Sequence, residues 1–350
     1  MEIIRPLFKE KAREIIKTRK GEIRIGEIAA FPEPDKDLVQ NLKSSRAKFV
    51  LLGIPEDIGI RANFGRAGSY SAWQPALENI LSIQSNEFFT GKELMILGEI
   101  EVRDFMSKSK DLSPKNTDDL NSLRKITADI DDRVYPIIQV IVSQNKIPIV
   151  IGGGHNNAFG MIKGAYLGLT QKNKRKKINA INCDAHTDLR PVEGRHSGNG
   201  FTYALEKKYL NKYSVLGVHE NYLTDRSMHL LKKNKTNISF ISFEDIFVRG
   251  NLSFEKALKN SMNFVSNNPC GIELDLDCIT NVPSSAKTSS GLSPTQARQY
   301  AYACGNNLNC AYFHIAEGAP VLAHLKADNK TGKLIGYLVT DFIKGYLEKK

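Results

Sequence analysis

Three polar residues at alternate positions follow a short apolar run near the middle of the chain. The run is Ile178 to Asn182, and Asp184, His186 and Asp188 come just after it. Alternate side chains of an extended strand point to the same face, so the two carboxylates and the imidazole would share one face. A hydrogen-bonded Asp–His pair in the core is the simpler alternative, but it needs only two of the three groups. The spacing therefore favours a metal site.

Two other strand ends carry similar chemistry. An apolar run leads into three glycines, 152–154, and then His155. Glycines let the backbone turn sharply beside a bound group, although a solvated loop histidine is the alternative. Asp275 and Asp277 alternate with leucines, and two like charges this close are unfavourable unless a positive group lies between them. The three clusters supply four carboxylates, two imidazoles and no cysteine, a set that suits two divalent ions such as manganese better than structural zinc.

These clusters need a frame that brings strand ends together. Short apolar runs alternate with helical patterns, which predicts an α/β fold with a mostly parallel central sheet covered on both faces. Such sheets bind their ligands at the carboxyl ends of the strands, where all three clusters lie. The predicted strands are Phe49 to Ile54, Leu94 to Leu97, Ile147 to Ile151, Ile178 to Asn182, Ser214 to Val218, Ile238 to Ile241, Ile272 to Leu276, Ala311 to Ile315 and Leu334 to Val339.

Two helices have clear signals in the sequence. Apolar positions between Asp118 and Gln144 recur every three or four residues, which predicts a helix that Pro136 should kink or split. Another helix is predicted after Ser293, a capping residue that is followed by a proline and, three positions on, by Gln296.

Length and composition indicate one large domain. The chain has 350 residues, of which 41% are hydrophobic and 25% charged, near the averages of globular proteins. We predict one main domain over 46–350 and an N-terminal extension over 1–45 that packs on it, because the first 45 residues are polar and helix-prone. No stretch approaches 18 consecutive apolar residues, and the start lacks the apolar core of a signal peptide. Five cysteines without a C-x-x-C pair fit reduced thiols. We therefore expect a cytoplasmic protein with no membrane span.

The chain has an excess of positive charge. Its net charge is +11, from 49 Lys and Arg against 38 Asp and Glu, and such an excess can attract anions or nucleic acid. The densest basic run, residues 172–177, has no aromatic residue within it, whereas platforms for single strands mix basic and aromatic side chains. We favour a solvated loop and no nucleic-acid partner. The alternative, nucleic-acid binding, would weaken steeply with salt.

The three clusters together resemble a known family. GGGH at 152–155, DAHTD at 184–188 and DLD at 275–277 resemble, in this order, the ureohydrolase superfamily of arginases, agmatinases and formimidoylglutamases, over roughly residues 46 to 345. The resemblance implies a three-layer α/β/α fold, with 46–350 as a single arginase-like catalytic domain, and two Mn²⁺ ions per chain. One ion would be bound by His155, Asp184, Asp188 and Asp275, and the other by His186, Asp184, Asp275 and Asp277.

The resemblance also implies an activity. Two such ions lower the pKa of a shared water from roughly 15.7 towards about 7, and the metal-bridging hydroxide would attack the planar carbon of an amidine or guanidine. Asp188 would pass a proton to the leaving amine. Glu317 aligns with the family glutamate that binds the cationic C–N group, with an exposed loop glutamate as the alternative. Arginases carry a proton-shuttling histidine where Phe201 stands by spacing, so His196 is the candidate for that catalytic role.

Features near the motifs favour formimidoylglutamase over arginase. The loop from Gly59 to Gly68 resembles the N-x-G-R-x-G loop of formimidoylglutamases, and DAHTDLRP at 184–191 points the same way, whereas the segment 72–75 departs from the family pattern. The expected reaction is N-formimidoyl-L-glutamate plus water to L-glutamate plus formamide, a step of histidine degradation. Arginine suits the two carboxylates of this substrate, although each arginine is equally a candidate for a structural ion pair. The candidate substrate-binding residues are Asn63, Arg66, Arg190, Arg195 and Glu317, with Arg61 as a further arginine.

Other assignments stay open from the sequence. An arginase, an agmatinase or another guanidino-compound hydrolase that releases urea would share the metals and the chemistry. A member of the superfamily that has lost activity and serves as an interaction protein is a different class, but all six ligand positions and Glu317 are filled. Because relatives form compact oligomers, the resemblance also implies a homo-oligomer.

Overall fold

The computed structural model describes residues 3–171, 177–323 and 329–349. Within these ranges, nine strands form one sheet. The strands are β1 (Ile4–Pro6), β2 (Phe49–Gly53), β3 (Leu94–Ile100), β4 (Ile147–Ile151), β5 (Ile178–Cys183), β6 (Leu210–Val218), β7 (Ile238–Ser242), β8 (Cys270–Asp275) and β9 (Cys310–Ala316). The basic run 172–177, predicted as a solvated loop, lies outside the described residues except for Lys177.

The sheet is parallel apart from one edge strand. Its order is β1-β3-β2-β4-β9-β8-β5-β6-β7, and β1 pairs antiparallel with β3 while the other pairs are parallel. Four strands that the chain visits at distant points, β4, β9, β8 and β5, lie side by side in the centre. Their carboxyl ends therefore meet at one place on the sheet edge.

Helices cover both faces of the sheet. They are α1 (Lys9–Ile15), α2 (Ile25–Ile28), α3 (Leu38–Ser44), α4 (Ile58–Arg61), α5 (Trp73–Leu81), α6 (Arg103–Ser109), α7 (Thr117–Ser143), α8 (Asn157–Thr170), α9 (Gly200–Glu206), α10 (Asp225–Lys233), α11 (Phe254–Val265), α12 (Pro294–Asn307) and α13 (Lys330–Leu347). Among the described residues, no helix is long and apolar enough to cross a membrane.

Alternate residues of the buried strands feed two separate cores. In β2, Phe49 and Leu51 pack into a core with α5, α11, α12 and α13, whereas Val50 and Leu52 pack into the opposite core with α7, α8 and α9. This alternation follows from the period of two along a strand. It explains why these strands read as continuous apolar runs, since both faces are covered. The predicted three-layer α/β/α fold is confirmed.

One predicted strand is wrong. The run from Leu334 to Val339 lies inside helix α13, which is buried on more than one side. A short apolar run has the same appearance in a buried strand and in a buried helix, so the pattern alone does not separate them. The other eight predicted strands are confirmed, and β1 was not predicted, because its three residues include Arg5 and Pro6.

Pro136 does not split its helix. Helix α7 runs without a break from Thr117 to Ser143. It packs along α8, whose glycines let the two backbones come close. A Cβ on Gly164 would lie 2.5 Å from the carbonyl oxygen of Tyr135. This packing around Pro136 supports the helix through the position where proline removes one hydrogen bond. The helix predicted after Ser293 is α12, and its predicted capping box is present.

The first 45 residues contact the sheet and its helices. Strand β1 extends the sheet through its pairing with β3, and Ile25 is fully buried in the core that contains α5. These contacts agree with an extension that packs on the main body. The division into 1–45 and 46–350 stays a prediction.

Two glycines on α13 give a test of the packing between α12 and α13. A Cβ on Gly345 would come 2.2 Å from the carbonyl oxygen of Tyr302 on α12, whereas a Cβ on Gly336 would meet no atom closer than 3.6 Å. We expect Gly345→Ala to lower the free energy of unfolding by about 1–3 kcal/mol through overpacking. Gly336→Ala should raise it by about 0.5–1 kcal/mol because alanine favours helix. Urea denaturation measures both, and an equal effect of the two variants would contradict the close approach.

Candidate metal centre and substrate cavity

The predicted metal ligands follow the four central strands. His155 comes after β4, the segment 184–188 follows β5, and Asp275 ends β8. Glu317 follows β9, which lies between β4 and β8. Since these strands are parallel neighbours, their carboxyl ends bring residues more than 100 positions apart into contact.

Four predicted ligands form one compact group. His155 Nδ1 lies 3.2 Å from Asp184 Oδ2, 3.0 Å from Asp188 Oδ2 and 3.1 Å from Asp275 Oδ2. The ligand atoms of these four residues all lie within 4.8 Å of one another. Three carboxylates around one imidazole leave negative charge in a buried place even if the ring is protonated. A cation with a preference for oxygen and nitrogen ligands fits this set.

The other two predicted ligands border this group but are not part of it. His186 Nδ1 lies 3.4 Å from Asp184 Oδ1, and its ring stacks on Tyr222 with centroids 4.9 Å apart. Asp277 accepts hydrogen bonds from the Ser285 hydroxyl at 3.2 Å and from the Ala286 N–H at 3.0 Å. His186 and Asp277 both line a single cavity, which is described below. The second predicted ion would therefore be bound in part by two residues of the cavity wall, His186 and Asp277.

The electrostatics of the group reflect its excess of carboxylates. Burial and the charge of Asp184 raise the pKa of Asp188 and of Asp275. Burial would also raise the pKa of Asp184, but hydrogen bonds from His155 and His186 hold it below its usual range. Burial disfavours the charged His186 ring, yet the Asp184 carboxylate raises its pKa to about 9. The group therefore holds protons that a metal ion would displace, because metal ligands bind in their deprotonated forms.

A buried network lies behind His155 and was missed by the sequence analysis. Glu273 Oε2 lies 3.4 Å from His155 Nε2 and 2.7 Å from His314 Nδ1, while Tyr312 donates a hydrogen bond of 2.7 Å to Glu273 Oε1. The carboxylate beside Nε2 favours the ring form that leaves Nδ1 open to a metal, a common arrangement in metal sites. The available signal was spacing, since Glu273 lies two residues before Asp275 and therefore on the same strand face.

Glu56 is a second residue that the sequence analysis missed. Its carboxylate is fully buried and accepts hydrogen bonds from Gly154 N, Asn157 Nδ2 and Ile58 N at 2.7–2.9 Å. It thereby connects the end of β2 to the glycine turn before His155. Gly153 must be glycine in this turn, because its φ is +75° and a Cβ would lie 2.2 Å from Asn157 Nδ2.

Glu317, which follows β9, lies beside the cluster of His155, Asp184, Asp188 and Asp275, called the metal group below. Its Oε1 accepts a hydrogen bond of 2.7 Å from the backbone N–H of His155, and its Oε2 is buried without a hydrogen bond to any described residue. Burial and the charge of Asp277 raise the pKa of Glu317 to about 8. Glu317 and Asp188 both have left-handed backbone, with φ of 66° and 49°. Strain of this kind persists where surrounding contacts impose it, often at functional sites.

Arg195 has a structural environment. Its guanidinium forms a buried ion pair with Asp131 at 2.7 Å and lies about 5 Å from the ring centres of Phe159 and Tyr203. Its N–H groups all have protein acceptors, which are the Asp131 carboxylate, Asn199 Oδ1 and the carbonyl oxygens of Asn156 and His196. No donor is left for a substrate, so the structure does not support the predicted substrate contact and favours the ion-pair alternative.

His196 is also engaged locally. Its ring is fully buried, Nδ1 accepts a hydrogen bond from Gly198 N at 3.1 Å, and Nε2 lies 3.2 Å from Glu193 Oε1. Burial and the charges of Arg124, Arg195 and Arg190 lower the pKa of His196 to about 3. A ring that stays neutral and enclosed is a poor proton carrier at neutral pH. The catalytic role of His196 stays a prediction, and these contacts do not support it.

The candidate substrate-binding residues differ in whether they line a cavity beside the metal group. A cavity of about 430 Å³ opens above the metal group, and Asn63 and Arg190 line it. Arg66 is exposed on the neighbouring loop and is not among the lining residues. Arg61 donates to the carbonyl oxygens of Ser109 and Leu112, away from the cavity. The cavity is lined by Ile60, Asn63, Gly65, 186–191, Ser197, Tyr222, Thr224, Arg226, Ser227, Asp275, Asp277, Ser285, Ala286 and Glu317.

Phe201 has an apolar role beside the metal group. Its ring meets His155 edge-to-face at 5.3 Å and stacks on Tyr213 at 4.2 Å. It lies at the position that carries a proton-shuttling histidine in arginases, according to the spacing of the motifs. The side chain has no proton to transfer, so this part of the site departs from arginase.

The family follows from a comparison of the sequence with family models. The model of the arginase family matches residues 47–344. The chain belongs to the arginase family. The match includes strands β2 to β9 and all the predicted metal ligands, and it agrees with the predicted superfamily.

Several proteins that are similar to this chain are formimidoylglutamases. The formimidoylglutamase of Streptococcus pyogenes is 28% identical over 304 residues, which cover 84% of this chain and 76% of that protein. The structure of Trypanosoma cruzi formiminoglutamase with Mn²⁺ matches with a TM-score of 0.69 at 16% identity, covering 94% of this chain and 100% of that one. Formimidoylglutamase from Bacillus subtilis matches with a TM-score of 0.71 at 14% identity, covering 95% of each chain. The predicted enzyme class, a hydrolase of amidine C–N bonds, is supported by the family and by the similar S. pyogenes protein.

The pH dependence of stability tests the environment of His196. Its folded pKa of about 3 lies below the ordinary value near 6.5. Between these values the unfolded chain binds a proton that the folded chain does not, so stability falls as the pH falls. We expect the unfolding free energy of the wild type to drop between pH 6.5 and pH 5 by about 1–2 kcal/mol more than that of His196→Asn.

Asparagine keeps an acceptor for Gly198 N, so His196→Asn should fold and retain turnover. Denaturation curves at matched metal loading measure the difference, and kcat/KM is measured in parallel. Loss of activity in a folded variant would instead assign His196 a catalytic role.

Proposed function

We propose that this arginase-family hydrolase converts N-formimidoyl-L-glutamate and water to L-glutamate and formamide, with two Mn²⁺ ions per chain. The observation that carries the proposal is the charge distribution in the cavity. Its wall includes the carboxylates of Asp188, Asp275, Asp277 and Glu317 and also two arginines, Arg190 and Arg226. A substrate with a cationic amidine at one end and carboxylates at the other has a partner of opposite charge for both kinds of group. The similar formimidoylglutamase of S. pyogenes supports the same substrate.

The metal ions of this proposal would be held by the six predicted ligands. His155, Asp184, Asp188 and Asp275 would bind one ion, and His186, Asp184, Asp275 and Asp277 the other. When bound, such a pair lowers the pKa of water and supplies a nucleophile at neutral pH. The oxygen and nitrogen donor set and the similar T. cruzi structure, which contains Mn²⁺, support manganese.

Residues of the chain orient the amidine and move the proton. Glu317 would accept N–H groups of the cationic amidine at its unpaired Oε2 atom, which places the planar carbon against the metal group. Asp188 borders both the cavity and the His155 cluster. Its carboxylate would take the proton released from water and deliver it to the leaving nitrogen. The C–N bond then breaks, leaving L-glutamate and formamide.

Three further parts of the proposal concern the setting of the enzyme. A cytoplasmic location is supported by the five cysteines, which are all free and buried. A place in histidine degradation follows from the proposed substrate alone. A homo-oligomer is expected from the resemblance to the superfamily. All three stay predictions, as does the absence of a nucleic-acid partner.

Turnover by the manganese-loaded protein tests the substrate. N-formimidoyl-L-glutamate, arginine, agmatine and guanidinobutyrate are supplied side by side, and the products are identified by mass spectrometry. We expect formamide and L-glutamate from the first compound and no urea from the others. Urea from any guanidino compound would keep the metal chemistry but reject the substrate, and no product from any of the four would favour the inactive-member alternative.

Metal content tests the ligand set. Asp184 contributes to both predicted ion sites, so Asp184→Asn should lower the manganese content from two ions per chain and reduce kcat by more than the roughly 10–100-fold typical of residues that only orient a ligand. Atomic absorption after gel filtration measures the content. Asp111→Asn, a change of an exposed residue in the turn after α6, is the matched control. A folded Asp184→Asn protein with two ions would contradict the ligand set.

A further inference from the structure

The arginines near the cavity are not equivalent. Arg61 and Arg195 donate to protein acceptors, and Arg66 is exposed outside the lining. Among the described residues, Arg190 and Arg226 are the arginines that line the cavity. Neither side chain forms a hydrogen bond or an ion pair with another described residue. Arg226 was not singled out from the sequence, because it lies in a polar segment outside the family motifs.

The start of helix α10 is held in place beside the metal group. Tyr222 stacks on His186, which ties the segment before the helix to a predicted metal ligand. Thr224 then caps α10: its side chain accepts a hydrogen bond from Ser227 N at 3.1 Å, and its N–H donates to Ser227 Oγ at 2.8 Å. Arg226 lies within this capping box. Its backbone is therefore positioned before a ligand arrives, and Arg226 is an exposed residue of the cavity wall.

The two arginines approach the metal group from different elements. Arg190 lies two residues after Asp188, and its backbone N–H donates to Gly198 O at 2.9 Å. A Cβ on Gly198 would lie 2.9 Å from Arg190 Cδ, so the glycine provides room for the arginine side chain. Arg226 comes from α10, which contributes no residue to the His155 cluster. Arg190 is thus the arginine on the ligand-bearing segment, and Arg226 is on an element that carries no predicted metal ligand.

We infer that Arg226 is a specificity-determining residue that binds the distal carboxylate of the substrate, the one at the end of the glutamate side chain. Arg190 then faces the carboxylate next to the amidine nitrogen. The inference rests on the proposed function, since it names the group that recognises a part of that substrate. A guanidinium binds a carboxylate through two parallel hydrogen bonds, which gives geometric selection as well as affinity. A substrate that ends in an amine, such as agmatine, would meet a like charge at Arg226.

The test compares an enzyme change with a matching substrate change. Wild type and Arg226→Gln, loaded with manganese, are assayed with N-formimidoyl-L-glutamate and with N-formimidoyl-L-2-aminobutyrate, which lacks only the distal carboxylate. We expect Arg226→Gln to reduce kcat/KM for the dicarboxylate on the order of 10–100-fold, mainly through KM, as for the loss of a charged hydrogen bond. For the analogue the variant should stay within about threefold of the wild type, because the carboxylate that Arg226 would bind is already absent.

Lys233→Gln is the matched control, because it removes one positive charge from the exposed far end of the same helix. It should leave both substrates unchanged, which separates direct binding from the general field of the protein. An equal loss for Arg226→Gln with both substrates, or no loss with the dicarboxylate, would overturn the role of Arg226 while the proposed function stands. Failure of the wild type to hydrolyse either formimidoyl compound would instead reject the proposed function.

Binding of the product gives a readout that does not need turnover. L-Glutamate retains both carboxylates, whereas L-2-aminobutyrate lacks the distal one. Calorimetric titration should show weaker L-glutamate binding to Arg226→Gln than to wild type, by a factor similar to the change in KM. Unchanged L-glutamate affinity in the variant would contradict the inference.

Discussion

The structure depends on how buried carboxylates are held around one imidazole nitrogen. Three carboxylate oxygens lie 3.0–3.2 Å from His155 Nδ1. The ligand atoms of His155 and the three carboxylates lie within 4.8 Å of one another, and like charges this close repel strongly in a medium of low dielectric constant. The backbone must therefore impose the arrangement, and bound protons or a cation must reduce its charge. The order of the central strands, the left-handed backbone at Asp188 and the glycine turn before His155 all serve this one constraint.

The residues around the His155 cluster orient its side chains but do little to neutralise its negative charge. Glu56 accepts N–H groups of the glycine turn, and Glu273 lies behind the far nitrogen of His155. Each of these carboxylates is itself satisfied by other donors, and so adds position without adding an unpaired charge to the cavity. Phe201 packs edge-to-face against the His155 ring. Precise orientation of ligands by such outer groups is what lets a protein keep an electrostatically unfavourable site ready for metal.

The arginines near the cavity are of two kinds, which differ in whether they have partners within the protein. The guanidinium of Arg195 is enclosed by Asp131, two aromatic rings and backbone carbonyls, so it fastens the loop that carries residues 193–199 to α7 and α8. Arg190 and Arg226 lack such partners among the described residues and face the cavity. The same residue type thus stabilises the frame in one place and presents charge to a ligand in another. Ionised groups without a protein partner at a cavity wall are the ones free to select a charged substrate.

Local pattern determined a large part of the fold and of the metal site. The period of two along a strand placed Asp184, His186 and Asp188 on one face, and the continuous apolar runs identified eight strands, because both signals depend only on neighbours in the chain. The three motifs were sufficient to indicate the family, since their residue types and order are specific. What only the tertiary structure decided depends on residues far apart in sequence. The run from Leu334 to Val339 is a helix because α12 and the sheet cover it.

The roles of individual polar residues likewise came from distant contacts. Arg195 is paired by Asp131, which is 64 positions away, and Glu56 reaches the turn at Gly154 across 98 positions. Arg226 faces the cavity because Tyr222 stacks on His186 and fixes the start of its helix. A sequence shows which side chains can carry charge, but the partner that neutralises each charge is set by the packing of strands and helices. That is why the sequence was sufficient to predict the ligand positions, whereas the arginines available to a substrate became evident only in the folded chain.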